Sequence, residues 1–370
     1  MAAAPPPCCP RSLPALMEEL VEEILLRIPP DEPAHLFRAT LVCKPWRRIL
    51  SHPGFLRRYR ALHRAPPLLG YFYNLISHGD PGLKPPFVST TAVPHLDTSG
   101  VKWAHDCRHG RVLIEAPGGG LIVWDPITGD KKTLISVPKH PISYTTCAVL
   151  CAAMDGCDHL DCHAGPFLVV CCGTNLGSQG FETWATMYSS ETKEWSALIS
   201  IDVNHCLDVR PTRLIRNALY FSLDYGKTML KYDLIRHELS VISSSPRVTG
   251  AIAMELDDGG LGFVAMLDRC IYRWSWQDDA NNGIGKWEEA DVVMQLETLL
   301  TEEGNPHFYY GVVGFVEGTD TIFISAYAGL FTLDLKSKKV KKIGEKRGYY
   351  RVIPYMSFYT RDLAKGGLPL

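Results

Sequence analysis

The 370-residue sequence contains no apolar run near the ~20 residues that a membrane-spanning helix requires; stretches such as FLVVCC, Phe167 to Cys172, are far shorter. The pattern of a secretory leader is also missing. MAAAPPPCCPRS opens the chain without a charged segment followed by an apolar one, so the twelve cysteines are expected to be reduced thiols of a cytoplasmic or nuclear protein. No contact with a membrane is expected. Nor is there a concentrated basic stripe: residues 1–64 carry ten Lys/Arg against six Asp/Glu, and a net charge of -2 for the whole chain leaves the remainder at -6. That imbalance is too small to predict a nucleic-acid partner. What is present, 46% hydrophobic and 21% charged residues, suits a globular chain that buries one large core or two unequal ones.

After a Pro/Ala-rich leader, expected to be mobile over residues 1–15, LMEELVEEILLRIPP places Leu16, Leu20, Ile24 and Ile28 at four-residue spacing, with Val21 and Leu25 widening the stripe. This is a helical period, predicted from Leu16 to Arg27 and ended by Pro29-Pro30. Glu18, Glu19, Glu22 and Glu23 favour the positive end of its dipole. Asp31 is expected to cap a short second helix that starts near Pro33 and buries Leu36, Phe37 and Ala39 to Leu41. In LVCKPWRRIL, Pro45 suits the first turn of a third helix with Trp46, Ile49 and Leu50 on one side, Arg47 and Arg48 in solvent, and Cys43 as a buried core thiol. Residues 51–65 are expected to form a linker helix packed through Leu56, Tyr59 and Leu62. So small a helical core predicts a partner.

From about Pro66 the hydrophobic period falls to two. LIVWDPITGDKKTLI (121–135), TMYSSETKEWSALI (186–199), LKYDLIRHELSVI (230–242) and LFTLDLKSKKVKKI (330–343) share one layout of strand, polar turn and strand, and CIYRWSWQDDANNGIGKWEEA (270–290) is a fifth copy with a longer loop. Asp125, Asp233 and Asp334 take one position, with Ser189 in the second unit, where a side-chain oxygen can accept turn N–H bonds without implying catalysis. The copies recur roughly every 40–60 residues, near the spacing of four-stranded β-propeller blades. Strands such as ALYFSL, LGFVAM and TIFISA precede several copies and are expected to supply the inner pairs. A propeller of about five to seven blades over residues 66–370 follows; an irregular stack of β-sandwiches is the alternative.

The helical front, LMEELVEEILLRIPPDEPAHLFRATLVCKPWRRIL, resembles the F-box in register, from the first helix and double proline to the L-V-C-x-x-W-R-x-x-L run. With the strand repeats and CDHLDCHAGPFLVV, the chain resembles plant F-box proteins that carry a β-rich C-terminal domain. The fold class implied is α+β multidomain: a small all-α three-helix F-box over residues 16–50, then an all-β domain. The resemblance implies docking on a Skp-type adaptor and through it a cullin, with the C-terminal domain recruiting an unidentified protein substrate for ubiquitination. Adaptor contact or box core is implied for Leu16, Met17, Leu20, Val21, Ile24, Leu25, Ile28, Pro29, Leu36, Val42, Trp46 and Leu50. Met17 departs from the family's Leu-Pro opening, and a Leu-Pro pair stands three residues earlier at Leu13-Pro14. Either the entry shifts register or Met17 fills the proline's pocket.

Other candidates read as structure. Cys147, Cys151, Cys157, His159, Cys162 and His163 supply enough soft ligands for zinc but lack paired C-x-x-C knuckles, so the expectation is a hairpin tip with Cys147, Cys151, Cys171 and Cys172 as small buried hydrophobes. Gly118 to Gly120 precede a strand and read as a turn, not a phosphate cradle. Trp124-Asp125 lacks the Gly-His partner of a WD repeat. RRYRALHR, 57–64, reads as a solvated helix. No nucleophile with its base, and no pair of converging carboxylates, is visible. A non-catalytic subunit without cofactor or metal is therefore expected. The second reading is a propeller or lectin-like binding module whose box is an anchor outside ubiquitin transfer; a zinc-dependent or propeller enzyme is the third.

Overall fold

The structure, a computed structural model, describes residues 16–75, 87–91, 98, 101, 103–116, 119–138, 143–153, 156–160, 162–177, 180–243, 248–267, 269–277, 286–288, 291–296 and 311–358. The leader and Leu13-Pro14 lie outside them. Two compact units are present, divided between Arg64 and Ala65. Among the described residues no helix is long and apolar enough to cross a membrane.

The first unit consists of four short helices: α1 (Glu18–Leu26), α2 (Pro33–Thr40), α3 (Lys44–Leu50) and α4 (Pro53–His63). Pro33, Pro45 and Pro53 each stand in a first turn, where a missing N–H costs nothing. Their core contains Val21, Leu25, Leu26, Leu36, Ala39, Leu50, Phe55 and Tyr59. The Tyr59 hydroxyl donates to the Ile28 carbonyl at 2.8 Å, and burial pushes its pKa up. Several expectations fail. Glu32, not Asp31, is the N-cap of α2; Leu41 is exposed rather than buried; Cys43 is the exposed N-cap of α3 rather than a core thiol. In α4 the buried positions are Phe55, Tyr59 and Arg60, while Leu62 is exposed, because the face that meets α1 is set one residue away from the aliphatic ones.

The second unit is a six-bladed β-propeller. Five blades are antiparallel sheets in sequence order, each running outward from the axis. Blade II has strands Ala104–Arg108, Arg111–Glu115, Leu121–Trp124 and Lys131–Thr133. Blade III has Ser143–Cys151, Phe167–Gly177 and Gly180–Ser189, with Glu194–Trp195 and Ile199–Val203 both pairing with the third. Blade IV comprises Arg213–Ile215, Ala218–Leu223, Thr228–Asp233 and Glu238–Ser243. In blade V, Ile252–Glu255, Leu261–Leu267 and Cys270–Gln277 are followed by Lys286–Trp287 and Asp291–Gln295. Blade VI is built from Gly311–Phe315, Thr321–Ala326, Gly329–Asp334 and Val340–Gly344. Blade I is different: Phe87–Ser89 and Leu68–Leu75 come from the start of the unit, and Tyr349–Met356 comes from its end. The ring is closed by strand pairing between the two ends of the unit.

The interfaces from blade II round to blade I are apolar clusters, so the middle strands of these blades are buried on both faces. Along Phe167–Gly177 the alternation divides neighbours: Val169 and Cys171 pack toward blade II, Val170 and Cys172 toward blade IV. This explains the continuous apolar run FLVVCC without any membrane. The five sequence copies are the outer hairpins of blades II to VI. Asp125 Oδ1 accepts from the N–H groups of Ile127 and Thr128, at 2.9 and 3.0 Å. Asp233 Oδ1 accepts from Ile235 and Arg236, and Asp334 Oδ1 from Ser337. The Ser189 hydroxyl accepts from Glu191 at 3.3 Å.

Candidate functional site

On α1 the four-residue stripe and the buried face separate. Val21, Leu25 and Leu26 point into the core, whereas Leu16, Met17, Leu20 and Ile24 are outward; Leu20 is 46% exposed and Val21 7%. In the turn between α2 and α3, Leu41 and Val42 are exposed at 64% and 62%. Seven of the thirteen large exposed hydrophobics among the described residues belong to this small unit, which makes it the candidate docking region. Of the other candidate residues, Leu36 and Leu50 are core, Ile28 and Trp46 are half-buried, and Pro29 is exposed. Met17 is the N-cap of α1: its carbonyl accepts from Leu20 and Val21 at 3.1 and 3.2 Å, and its side chain is exposed. The exposure of Leu41 was missed, because aliphatic spacing alone cannot tell a helix's last buried turn from an outward corner.

Ion pairs hold the helices that carry the face. Arg48 pairs with Glu18, and Arg58 reaches both Glu22, at 2.7 Å, and Glu23. All are solvated, so they set orientation more than stability. The arginines of RRYRALHR are therefore partly spent on α1.

The helical segment matches the family profile described as F-box domain, over residues 13–58. Residues 13–58 form an F-box domain. Solved structures similar to the chain include a chain of a mitotic checkpoint complex, 10% identical, with a TM-score of 0.36, covering 65% of this chain and 64% of that one. TolB from Acinetobacter baumannii is 11% identical with a TM-score of 0.40, covering 84% and 73%. The Cps50 (Swd1) β-propeller domain of Myceliophteria thermophila is 10% identical with a TM-score of 0.36, covering 66% and 86%. This chain thus spans slightly under two thirds of the first of these. No curated protein is matched by the sequence. An F-box joined to a six-bladed propeller fits a substrate-recognition subunit of a Skp-cullin-F-box ubiquitin ligase in general; F-box proteins are typically non-catalytic adaptors, and F-box domains typically bind a Skp-type partner.

The propeller offers two further features. Its axis is plugged by charge. Buried Arg108 donates to Asp106 Oδ2 at 2.9 Å, to Glu317 Oε1 at 3.2 Å and to the Thr212 carbonyl at 2.7 Å. Buried Arg210 pairs with Asp208 at 2.7 Å, and the Tyr350 hydroxyl donates to the same carboxylate. Arg351, on the inner strand of blade I, donates to Thr146 Oγ1 at 3.0 Å, to the Val209 carbonyl at 3.3 Å and to the His105 carbonyl. Burial raises the Asp106 pKa despite Arg108, and burial pulls Arg351 down to about 10. Ion pairing and hydrogen bonding among so many buried groups reads as a structural plug, not as an acid–base pair waiting for substrate. The second feature is a cleft of about 730 Å³ between blades IV and V, lined by Arg216, Lys231, Asp233, Ile235, Arg236 and Trp276 among others. It carries three cations against one carboxylate.

The cysteines are not all small hydrophobes. Cys147 and Cys171, direct cross-strand partners with Cα atoms 4.1 Å apart, are joined in a disulfide, which corrects the reading of both as free thiols. Directly opposed antiparallel positions bring side chains this close, a relation invisible before the register is known. Cys172 is buried and free. Cys151, Cys157, His159 and Cys162 instead gather their side chains at the base of the blade III hairpin, and His163 turns away to Asp125 Oδ2 at 2.9 Å. Gly119 and Gly120 form the expected hairpin turn, with the Ala116 N–H donating to the Gly120 carbonyl at 2.7 Å; Gly118 lies outside the described residues. Trp124 is a core residue.

Proposed function

We propose that this chain is the substrate-recognition subunit of a Skp-cullin-F-box ubiquitin ligase, one of the plant proteins of this architecture, working in the cytoplasm or nucleus. The observation that carries the reading is the exposed apolar face of Leu16, Met17, Leu20, Ile24, Leu41 and Val42 on an F-box domain, in the same chain as a propeller. Burying each such side chain against an adaptor would contribute roughly 1.5–3 kcal/mol. The plant relationship is supported by the CDHLDCHAGPFLVV stretch. Catalysis would be by proximity: a cargo held on the propeller meets the charged ubiquitin carrier at raised effective concentration, and this chain supplies no reacting group. The cationic cleft between blades IV and V is the favoured cargo site, for an acidic segment.

Two measurements test this. Affinity purification of the full chain with proteasome activity blocked should recover a Skp-type adaptor and a cullin, both lost from a version lacking residues 16–50. Recovery of neither by the intact chain sinks the reading. Replacing Arg216 and Arg236 by Glu should remove cargo while the adaptor stays bound.

A further inference from the structure

The hairpin joining the first two strands of blade III, Ser143–Cys151 and Phe167–Gly177, carries the spacing C-x5-C-x-H-x2-C at Cys151, Cys157, His159 and Cys162. Sequence spacing alone argues against a metal, because no C-x-x-C knuckle occurs. Folding supplies what spacing does not: one ligand atom from each of the four lies within 4.8 Å of the others. A tetrahedral zinc ion with zinc–sulfur bonds of ~2.3 Å needs donor atoms about 3.8 Å apart. The Cys162 Sγ to His159 Nδ1 distance is already 3.7 Å.

The local backbone is shaped to the same end. His159 has the left-handed φ of 57°, which turns the chain that follows it, and its N–H donates to Cys157 Sγ at 3.4 Å. Leu160 donates to Asp158 Oδ1 at 3.1 Å, and a turn of 3-10 helix over Cys162–Ala164 returns the chain to the sheet. Three sulfurs and an imidazole thus come from one loop and one strand end. The His109 ring, from the blade II hairpin, covers the His159 ring with centroids 4.0 Å apart.

Charge gives a second, independent reason. Arg111 is 2% exposed, yet its hydrogen-bond acceptors are neutral: Nε donates to the His163 carbonyl at 3.0 Å, and Nη2 to the carbonyls of Gly165, at 2.8 Å, and Cys162. Its Nη1 is buried with no hydrogen-bond partner among the described residues. A fixed cation in such a place calls for an anion beside it. The nearby carboxylate, Asp125, is engaged by His163 and by two turn N–H groups. Three thiolates and a neutral imidazole on a divalent zinc carry a net charge of -1, which matches the guanidinium.

We propose that Cys151, Cys157, His159 and Cys162 bind one zinc ion as three thiolates and one imidazole, with Arg111 orienting the loop and balancing the charge of the centre. Binding releases three thiol protons to solvent and involves no change of oxidation state. All four coordination positions are protein ligands, so the site is structural and fastens the hairpin of blade III beside blade II.

The test uses the full chain, purified with its adaptor under reducing conditions and dialysed against metal-free buffer. Elemental analysis should give about one zinc per chain. Cys157→Ser and Cys162→Ser should each lower zinc at least tenfold, while Cys206→Ser and Cys270→Ser leave it unchanged. Because a ligand variant can fail to fold, the unaltered chain is also exchanged with cobalt(II). Intense visible bands of a tetrahedral thiolate site support the proposal. Less than a tenth of a zinc per chain with no uptake of added zinc, an octahedral cobalt spectrum, or full zinc content in Cys162→Ser would each overturn it.

Discussion

Leu20 and Val21 are adjacent in the chain and do different work. Leu20 is half in water and Val21 is packed against the other helices, so substitutions should separate binding from folding. Leu20→Asp is expected to leave the thermal midpoint of the F-box unit in place and to weaken adaptor binding about 10- to 150-fold, the equivalent of one lost apolar contact of 1.5–3 kcal/mol. Leu25→Ala, with its side chain in the core, should instead cost about 2–5 kcal/mol of stability. Trp46 lies between these cases. It is half-buried, so Trp46→Ala should cost roughly 1–2.5 kcal/mol, well under the full value for a buried indole, and should also reduce adaptor affinity. Denaturant unfolding and calorimetric titration with the adaptor measure both quantities. A Leu20→Asp variant that binds normally would remove α1 from the docking face.

At the scale of single elements, the polar turns of the outer hairpins explain a pH dependence. The N–H groups of Arg236 and Ile235 hold the Asp233 carboxyl below its ordinary value, and the Ser337 hydroxyl and N–H do the same for Asp334. For Asp125 burial acts upward, but His163 and Thr128 outweigh it. A carboxyl with a folded pKa below its unfolded value of about 3.9 stabilises the fold fully above that value and loses the contribution as pH falls through the folded pKa. The double variant Asp233→Asn, Asp334→Asn is therefore expected to unfold at lower urea near neutrality and to show a shallower loss of stability between about pH 5 and pH 2. Superimposable pH profiles would refute this assignment. These turns were also the most legible part of the fold. Their period-two strands and Asp or Ser positions need only local chemistry, so five of the six blades announce themselves in the sequence. The innermost strands do not. Ala104–Arg108 and Tyr349–Met356 carry buried arginines and an aspartate, which read as surface until the ring closes and pairs them. The outward corner at Leu41 was hidden likewise, and the three cysteines with His159, visible as a cluster of soft ligands, gave no sign in their spacing that they converge.

For the propeller as a whole, the decisive element is the strand that completes blade I. Tyr349–Met356 pairs with Leu68–Leu75 and delivers Arg351 to acceptors in blades II and III and to Val209 at the entry to blade IV. One guanidinium therefore ties the closing strand to three other parts of the ring. Arg351→Ala should destabilise the propeller by about 3–5 kcal/mol, since it leaves a cavity and strands buried partners. A chain ending before Tyr349 should lose the single cooperative unfolding transition of the propeller; a calorimetric trace that keeps it would show that the ring does not depend on this closure.

The same closure sets an order in time. Ribosomes add roughly 5–20 residues per second, and about 285 residues separate the last helix of the F-box unit from the strand that seals the ring, an interval of roughly 15–60 seconds. The small unit is fully synthesised throughout that interval, with its apolar face formed by local contacts, while the propeller still lacks an inner strand. If the proposed function holds, nascent chains stalled ahead of Tyr349 are expected to capture the adaptor and not the cargo, so that engagement with the ligase would precede the site for anything it acts upon.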